Sequence, residues 1–253
     1  MKAGRGGKAG GNAANMTICS WNVNNRVGQT TFRSEAAAAA METDADVLVF
    51  NEFFPKTLLG VFQHFLTAGG WRHQAISEMA AMRANRLLVA SRLPMLVKSL
   101  PASTVDHHLS TNALHVDIGA FRLLAIRVPA YNDGQERKHA WTWLAGIAEE
   151  MQRSGRPAIV VGDLNTSMSA TGARRMDAFH RLLENGWTRT QPEGVGSFAR
   201  DGAWSEIDHV LATAACQILD ARYVVATRSY ELAGTPTSLS DHAALVFRAT
   251  TLP

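Results

Sequence analysis

Five short polar clusters interrupt otherwise apolar stretches of this chain: Trp21-Asn22-Val23-Asn24, Asn51-Glu52, Gly162-Asp163-Leu164-Asn165, Glu206-Ile207-Asp208-His209 and Ser240-Asp241-His242. The first three follow an apolar run and the last two precede one. If the two sets of runs point in opposite senses, all five clusters meet on one rim. That rim would gather Asn22, Asn24, Glu52, Asp163, Asn165, Asp208, Asp241 and His242. Four carboxylates brought together repel one another unless a cation neutralises them or some hold protons. Oxygen donors of this kind suit Mg²⁺ or Mn²⁺, and the chain has no Cys/His cluster of the sort that holds zinc. Taken singly, each cluster has a plainer reading. Gly-Asp-Leu-Asn is ordinary turn composition, Asn51-Glu52 can open a loop, and Asp208 can pair with a surface arginine. Their ordered recurrence at the ends of apolar runs is what points to a site.

The elements that would position these residues follow from periodicity. Short runs rich in Val, Ile and Leu recur at Thr17 to Trp21, Asp46 to Phe50, Arg86 to Ala90, Phe121 to Val128, Ala158 to Val161, Ile207 to Ala212 and Ala243 to Phe247. They are too short for helices and read as strands buried on both faces. Helical patterns lie between them, at Thr31 to Met41 with its alanine run, at Glu136 to Gln152, and at Ala173 to Asn185 before Gly186. These alternations predict one α/β domain over 16–253 behind a flexible basic Gly/Ala-rich tail at 1–15.

Length and composition exclude several classes. At 253 residues, 46% hydrophobic and 19% charged, the chain has an ordinary globular balance. No apolar run approaches the roughly 20 residues of a membrane span, and no apolar segment follows the basic start as in a secretory signal. Two cysteines, Cys19 and Cys216, make no disulfide framework, and a reducing, cytoplasmic setting is expected. The formal charge of +3 looks like a nucleic-acid signal. It belongs to Lys2, Arg5 and Lys8, however; without them 22 basic residues balance 22 acidic ones. Global charge therefore identifies no partner, and nothing implies an oligomer.

The succession SWNVN, NE, GDLN, IDHV and SDH, in this order and spacing, resembles the endonuclease/exonuclease/phosphatase superfamily over about residues 16 to 249. The resemblance implies a four-layer α/β sandwich, two mixed β-sheets packed face to face and flanked by helices. It also implies a phosphoesterase using Mg²⁺ or Mn²⁺. Glu52 is then the principal metal carboxylate, assisted by Asn22, Asn24 and Asp241. Asp163 orients or deprotonates the attacking water, Asn165 hydrogen-bonds the phosphate, and Asp208 fixes the tautomer of His242. Two positions depart from the pattern. Asn24 stands where Asp is frequent, which removes one negative charge. Arg127 stands before Pro129 where the family presents His or Tyr; it can fork onto a phosphate oxygen, or else pair with a neighbouring carboxylate. Tyr131, Asn132 and Trp204 are further candidates for substrate contact, with Phe198 near the Asp208 segment. DNA is the expected substrate. Phosphatase or phospholipid-headgroup hydrolysis would use the same constellation, and Asn24 and Arg127 keep a catalytically silent binding module open as a third reading.

Overall fold

The computed structural model describes residues 13–24, 34–54, 59–78, 85–102, 109–130, 134–168 and 177–252. The first of two six-stranded mixed sheets is ordered β13 (Cys216–Val224), β14 (Ala244–Thr251), β1 (Asn15–Asn22), β2 (Val47–Phe53), β4 (Arg86–Ser91), β3 (His73–Ile76). The second is ordered β5 (Met95–Lys98), β6 (Ala113–Ile118), β7 (Phe121–Arg127), β8 (Ala158–Asp163), β12 (Asp208–Ala212), β9 (Thr188–Arg189). A small hairpin pairs β10 (Phe198–Arg200) with β11 (Ala203–Ser205). The helices are α1 (Ser34–Met41), α2 (Leu59–Ala68), α3 (Gly134–Arg153) and α4 (Asp177–Glu184).

The apolar runs have no polar face because alternate residues serve two cores. Met16, Ile18, Val47 and Val49 of the first sheet meet Leu123, Ala125, Ile159 and Val161 of the second between the sheets. Their neighbours Cys19, Trp21, Leu48 and Phe50 point the other way, onto Ala36, Ala37, Ala39 and Ala40 of α1 and onto α2. The alanine run suits this packing, combining the highest helix propensity with side chains small enough for a close approach to the sheet. Leu124, Ile126 and Val160 likewise face Trp141, Leu144 and Ala148 of α3 and Phe179 of α4. Helix, sheet, sheet, helix is thus the four-layer sandwich expected from the sequence.

The seven expected strands all form, with ends moved by a few residues. β1 starts at Asn15, inside the expected tail, because Asn15 pairs with Thr250 of β14. Residues 31–33 and 173–176 of two expected helices, and the candidates Tyr131 and Asn132, lie outside the described residues. β14 runs antiparallel to β1, and β12 antiparallel to β8, while β2 is parallel to β1. These senses bring the ends of β1, β2 and β8 to the starts of β12 and β14. Among the described residues no helix is long and apolar enough to cross a membrane.

Candidate active site

Asp163 ends β8 beside Asp208, its register partner on β12. Its carboxylate is held by three donors. The Asn165 amide N–H reaches Oδ1 at 2.9 Å, and the side-chain amides of Asn22 and Asn165 each reach Oδ2 at 3.0 Å. Burial pushes Asp163 up, and the neighbouring Asp208 charge adds to it, to about 7; His242, Arg127 and the Asn165 hydrogen bond act in the opposite sense. The preceding Gly162 has a reason in the backbone: at φ 142°, a Cβ there would stand 1.9 Å from the Ile126 carbonyl oxygen. The glycine of the Gly-Asp-Leu-Asn cluster therefore lets β8 lie against β7 while presenting Asp163.

His242 stands on the far side of Asp208, with Nδ1 at 2.8 Å from Asp208 Oδ2. Burial alone would lower the imidazole. The Asp208 carboxylate, aided by Asp163 and Asp241, more than offsets it and raises His242 to about 9. The ring is therefore an imidazolium near neutrality, with Nδ1 taken and Nε2 left for a substrate oxygen. Its setting is built from both ends of the sequence. The Trp21 indole N–H donates to the His242 carbonyl at 2.7 Å, and Ser240 Oγ donates to the Asn22 carbonyl at 2.7 Å. Ser240 Oγ also accepts the His242 amide at 3.1 Å. Phe198, expected to flank a sugar or base, packs on the His242 ring with centroids 5.0 Å apart.

Glu52 reaches the site through a break in pattern. β2 carries an extra residue between Phe50 and Phe53, and Glu52 adopts φ 53° there. This bulge returns both Phe50 and Phe53 to Phe62 of α2, at 5.5 and 5.3 Å between centroids, while Glu52 faces the rim. Asn24 (φ 48°) and Asn165 (φ 46°) share the left-handed conformation, which Asn tolerates better than Glu. Three of the six non-glycine residues with positive φ among those described thus belong to the site. Such concentration of backbone strain is typical of functional positions.

Four expectations are changed by this geometry. Arg127 lies on Glu52, with Nη2 at 2.6 Å and Nε at 2.8 Å from Oε1, while Nη1 approaches Asn112 Oδ1 at 3.4 Å. The carboxylate alternative for Arg127 is the one realised. Asn165 spends both amide hydrogens inside the protein, on Asp163 and on the Val128 carbonyl at 2.7 Å, so the amide expected to hydrogen-bond the phosphate instead supports Asp163. The four carboxylates do not share a bound cation's neighbourhood: among the described residues no three acidic, cysteine or histidine side chains gather to hold an ion. Two protein cations balance the charge, His242 on Asp208 and Arg127 on Glu52. Asn24 enters the site through its backbone N–H, which donates to Asn22 Oδ1 at 2.9 Å.

The donors still suit a hard divalent ion in kind, since Glu52, Asn22, Asn24 and Asp241 offer only oxygens to it. In placement they do not converge, and Glu52 is turned onto Arg127. Asp241 and Ser240 border a cleft of about 380 Å³ with Trp204, Arg200 and Gly234. Gly234 lies flat on Trp204, where a Cβ would come 2.9 Å from Cζ2. Sequence reasoning missed Asn112 and Tyr223, whose hydroxyl donates to the Asp208 carbonyl at 2.8 Å. Neither belongs to a cluster with a local signal. Ser197 was missed too; its Oγ accepts the amides of Ile207 and Asp208 at 2.9 and 3.0 Å.

Two mixed six-stranded sheets packed face to face between helices, with Asp163 and the Asp208–His242 pair at one end, define the molecule's class, an α/β sandwich. The chain belongs to the Endonuclease/Exonuclease/phosphatase family, whose model matches residues 19–242. Members of that family are hydrolases acting on phosphoesters. Among solved structures, an endonuclease/exonuclease/phosphatase from Beutenbergia cavernae is similar, with TM-score 0.71 and 17% identity over 94% of this chain and 72% of that one. A 3′ phosphatase from Neisseria bound to product DNA hairpin gives TM-score 0.70 at 20% identity, covering 92% of this chain and 98% of that one. An AP endonuclease from Archaeoglobus fulgidus gives TM-score 0.70 at 18% identity, with the same 92% and 98% coverage. No curated protein matches the chain in sequence.

Proposed function

We propose that the chain hydrolyses phosphodiester bonds, with DNA as the substrate, by in-line attack of water. The observation that carries this reading is the Asp163 carboxylate, held by Asn22 and Asn165 beside the Asp208–His242 pair. Asp163 orients the water and takes its proton, a task matched to a group that titrates near neutrality. The new P–O bond forms from that water as the ester P–O bond opposite it breaks, and the leaving oxygen takes a proton from solvent. His242, as imidazolium, donates from Nε2 to a phosphate oxygen as charge grows there. A divalent cation, Mg²⁺ or Mn²⁺, belongs to this reading and would neutralise phosphate charge when bound; Glu52, Asn22, Asn24 and Asp241 offer it oxygens suited in kind but not gathered on one point, so no step here runs through it. The named DNA-acting proteins of similar fold support DNA over other phosphoesters. Trp204 beside Asp241 supports it as well, since an aromatic face next to the reacting group suits a base or sugar. A reducing, cytoplasmic setting belongs to the same proposal, resting on the chain's having only the two cysteines Cys19 and Cys216.

The test is nicking of supercoiled plasmid DNA with and without Mg²⁺ or Mn²⁺, with His242→Ala as the contamination control. Metal-dependent nicking that the variant loses by about 10²-fold or more is expected. A folded protein that leaves plasmid intact but releases phosphate from monoesters would replace DNA cleavage with phosphatase activity. Nicking equal in wild type and variant would overturn the role given to His242.

A further inference from the structure

His209 takes no part in the reaction proposed above, yet it is fully buried, directly follows Asp208 and stands opposite Gly162 in the β12–β8 register. A buried imidazole needs both ring nitrogens matched, and here both are. Nε2 lies 2.7 Å from the Thr166 carbonyl, which can only accept, and Nδ1 lies 3.0 Å from Arg189 Nε, which can only donate. The two neighbours therefore fix one neutral tautomer, with the proton on Nε2. Arg189 is fixed in turn. Its Nη2 donates to Glu206 Oε2 at 2.8 Å and its Nη1 to Gln191 Oε1 at 2.5 Å, while Gln191 Nε2 donates to Glu206 Oε1 at 2.6 Å. The imidazole rests on Phe179 of α4, with 5.5 Å between ring centroids.

The contact at Thr166 matters because of the residue before it. Asn165 has φ 46° and gives Asp163 two of its three hydrogen bonds, one from the backbone N–H and one from the side chain. A left-handed residue of this kind persists only where its surroundings hold it. The β12 segment holds it on both flanks: the Ile207 carbonyl accepts the Leu164 amide at 2.8 Å, and His209 donates to the Thr166 carbonyl. From this arrangement we infer that His209 is a positioning residue for Asp163, acting through Thr166 and Asn165, with Arg189 and Glu206 setting its tautomer. The inference rests on the phosphoesterase reading above and adds to it how the water-directing carboxylate keeps its place beside the Asp208–His242 pair. β12 carries Asp208 and, one residue later, the ring that holds the turn after Asp163.

The experiment compares His209→Leu, which keeps apolar bulk against Phe179 without hydrogen bonds, with His209→Gln, whose amide can donate to Thr166 and accept from Arg189. Two quantities are measured: amide hydrogen exchange at Asn165 by NMR, and kcat and KM on plasmid DNA or whichever phosphoester the wild type turns over. His209→Leu is expected to speed Asn165 exchange about ten-fold or more while the amides of β1 and β2 keep their protection. It is also expected to lower kcat about 10–100-fold with KM held within about two-fold. His209→Gln is expected to restore most of both. Arg189→Gln, which disturbs the network from its outer end, is expected to change both in the same direction by less, and it replaces His209→Leu should that variant fail to fold. Unchanged Asn165 exchange and kcat in His209→Leu would overturn the inference. So would equal losses in the two His209 variants, or exchange quickened evenly through β1 and β2, since either makes His209 a packing residue only. A wild type that turns over no phosphoester would remove the functional reading, and Asn165 exchange would still decide whether His209 holds the turn.

Discussion

On one side of the rim, Asp163 accepts three hydrogen bonds and Asp208 holds His242, with these side chains exposed by 6% or less. On the other, Glu52 and Arg127 each keep 15% exposure and hold one another through a single carboxylate oxygen. The first side is finished: its hydrogen bonds are in place before any ligand arrives. The second is one ion pair, with two guanidinium nitrogens on a single carboxylate oxygen. Both set a carboxylate against a protein cation. The first surrounds its carboxylate with several neutral donors, and in the proposed function that is the group that directs the water.

The comparison is broken most severely by Asp163→Asn. This change keeps the shape of the finished side and removes its ability to take a proton. A fall in kcat of about 10³-fold is expected, with the fold kept but the thermal midpoint lowered, because the new amide nitrogen faces an N–H donor that Asp163 accepts. A loss in KM alone would move the chemistry away from Asp163.

A smaller effect tests how the finished side is buttressed. His209, next to Asp208, is fully buried, with Nε2 2.7 Å from the Thr166 carbonyl and Nδ1 accepting from Arg189 Nε at 3.0 Å. Burial lowers it to about 4. An unfolded histidine titrates near 6.5, so below that pH the unfolded chain binds a proton that the folded chain refuses. Stability is therefore lost as pH falls from about 6.5 to about 4, by roughly 1–3 kcal/mol, and levels off below. Denaturant melts across this range should show a steeper loss in wild type than in His209→Gln. Parallel pH profiles would mean that His209 takes up its proton without cost.

The least effect is expected at the single ion pair. A double-mutant cycle of Glu52→Gln and Arg127→Gln, read by denaturant unfolding, should give a coupling of about 1 kcal/mol, as for a partly exposed pair. A coupling above about 3 kcal/mol would place Glu52 and Arg127 with the finished side.

Much of the architecture was legible because the central strands are buried on both faces and read as unbroken apolar runs. β13 was not legible: its bulge between Leu219 and Arg222 and its half-exposed alternation disguise it. β6 was lost because His115 and Asp117 interrupt its apolar pattern. In the site, Asp208 and His242 stood in recognisable clusters and are joined as expected. The Glu52–Arg127 pair was only one of two readings, since it joins residues 75 apart and no local spacing encodes such a choice. Asn165 shows a further limit. Its identity marks a site, but whether its amide serves substrate or Asp163 depends on where the Val128 carbonyl lies.

The bonds from Trp21 to the His242 carbonyl and from Ser240 to the Asn22 carbonyl join residues 221 and 218 positions apart. During synthesis this separation becomes a delay. β1 emerges first and pairs with β2, but its other edge stays open until β14 is made, which leaves unpaired backbone available to wrong partners. Through that interval Asp163 and Glu52 are already present while the imidazolium is not. Until Ser240 to His242 are made, Asp208 has no imidazole beside it, and the strand that follows them is also the one that closes the open edge of β1.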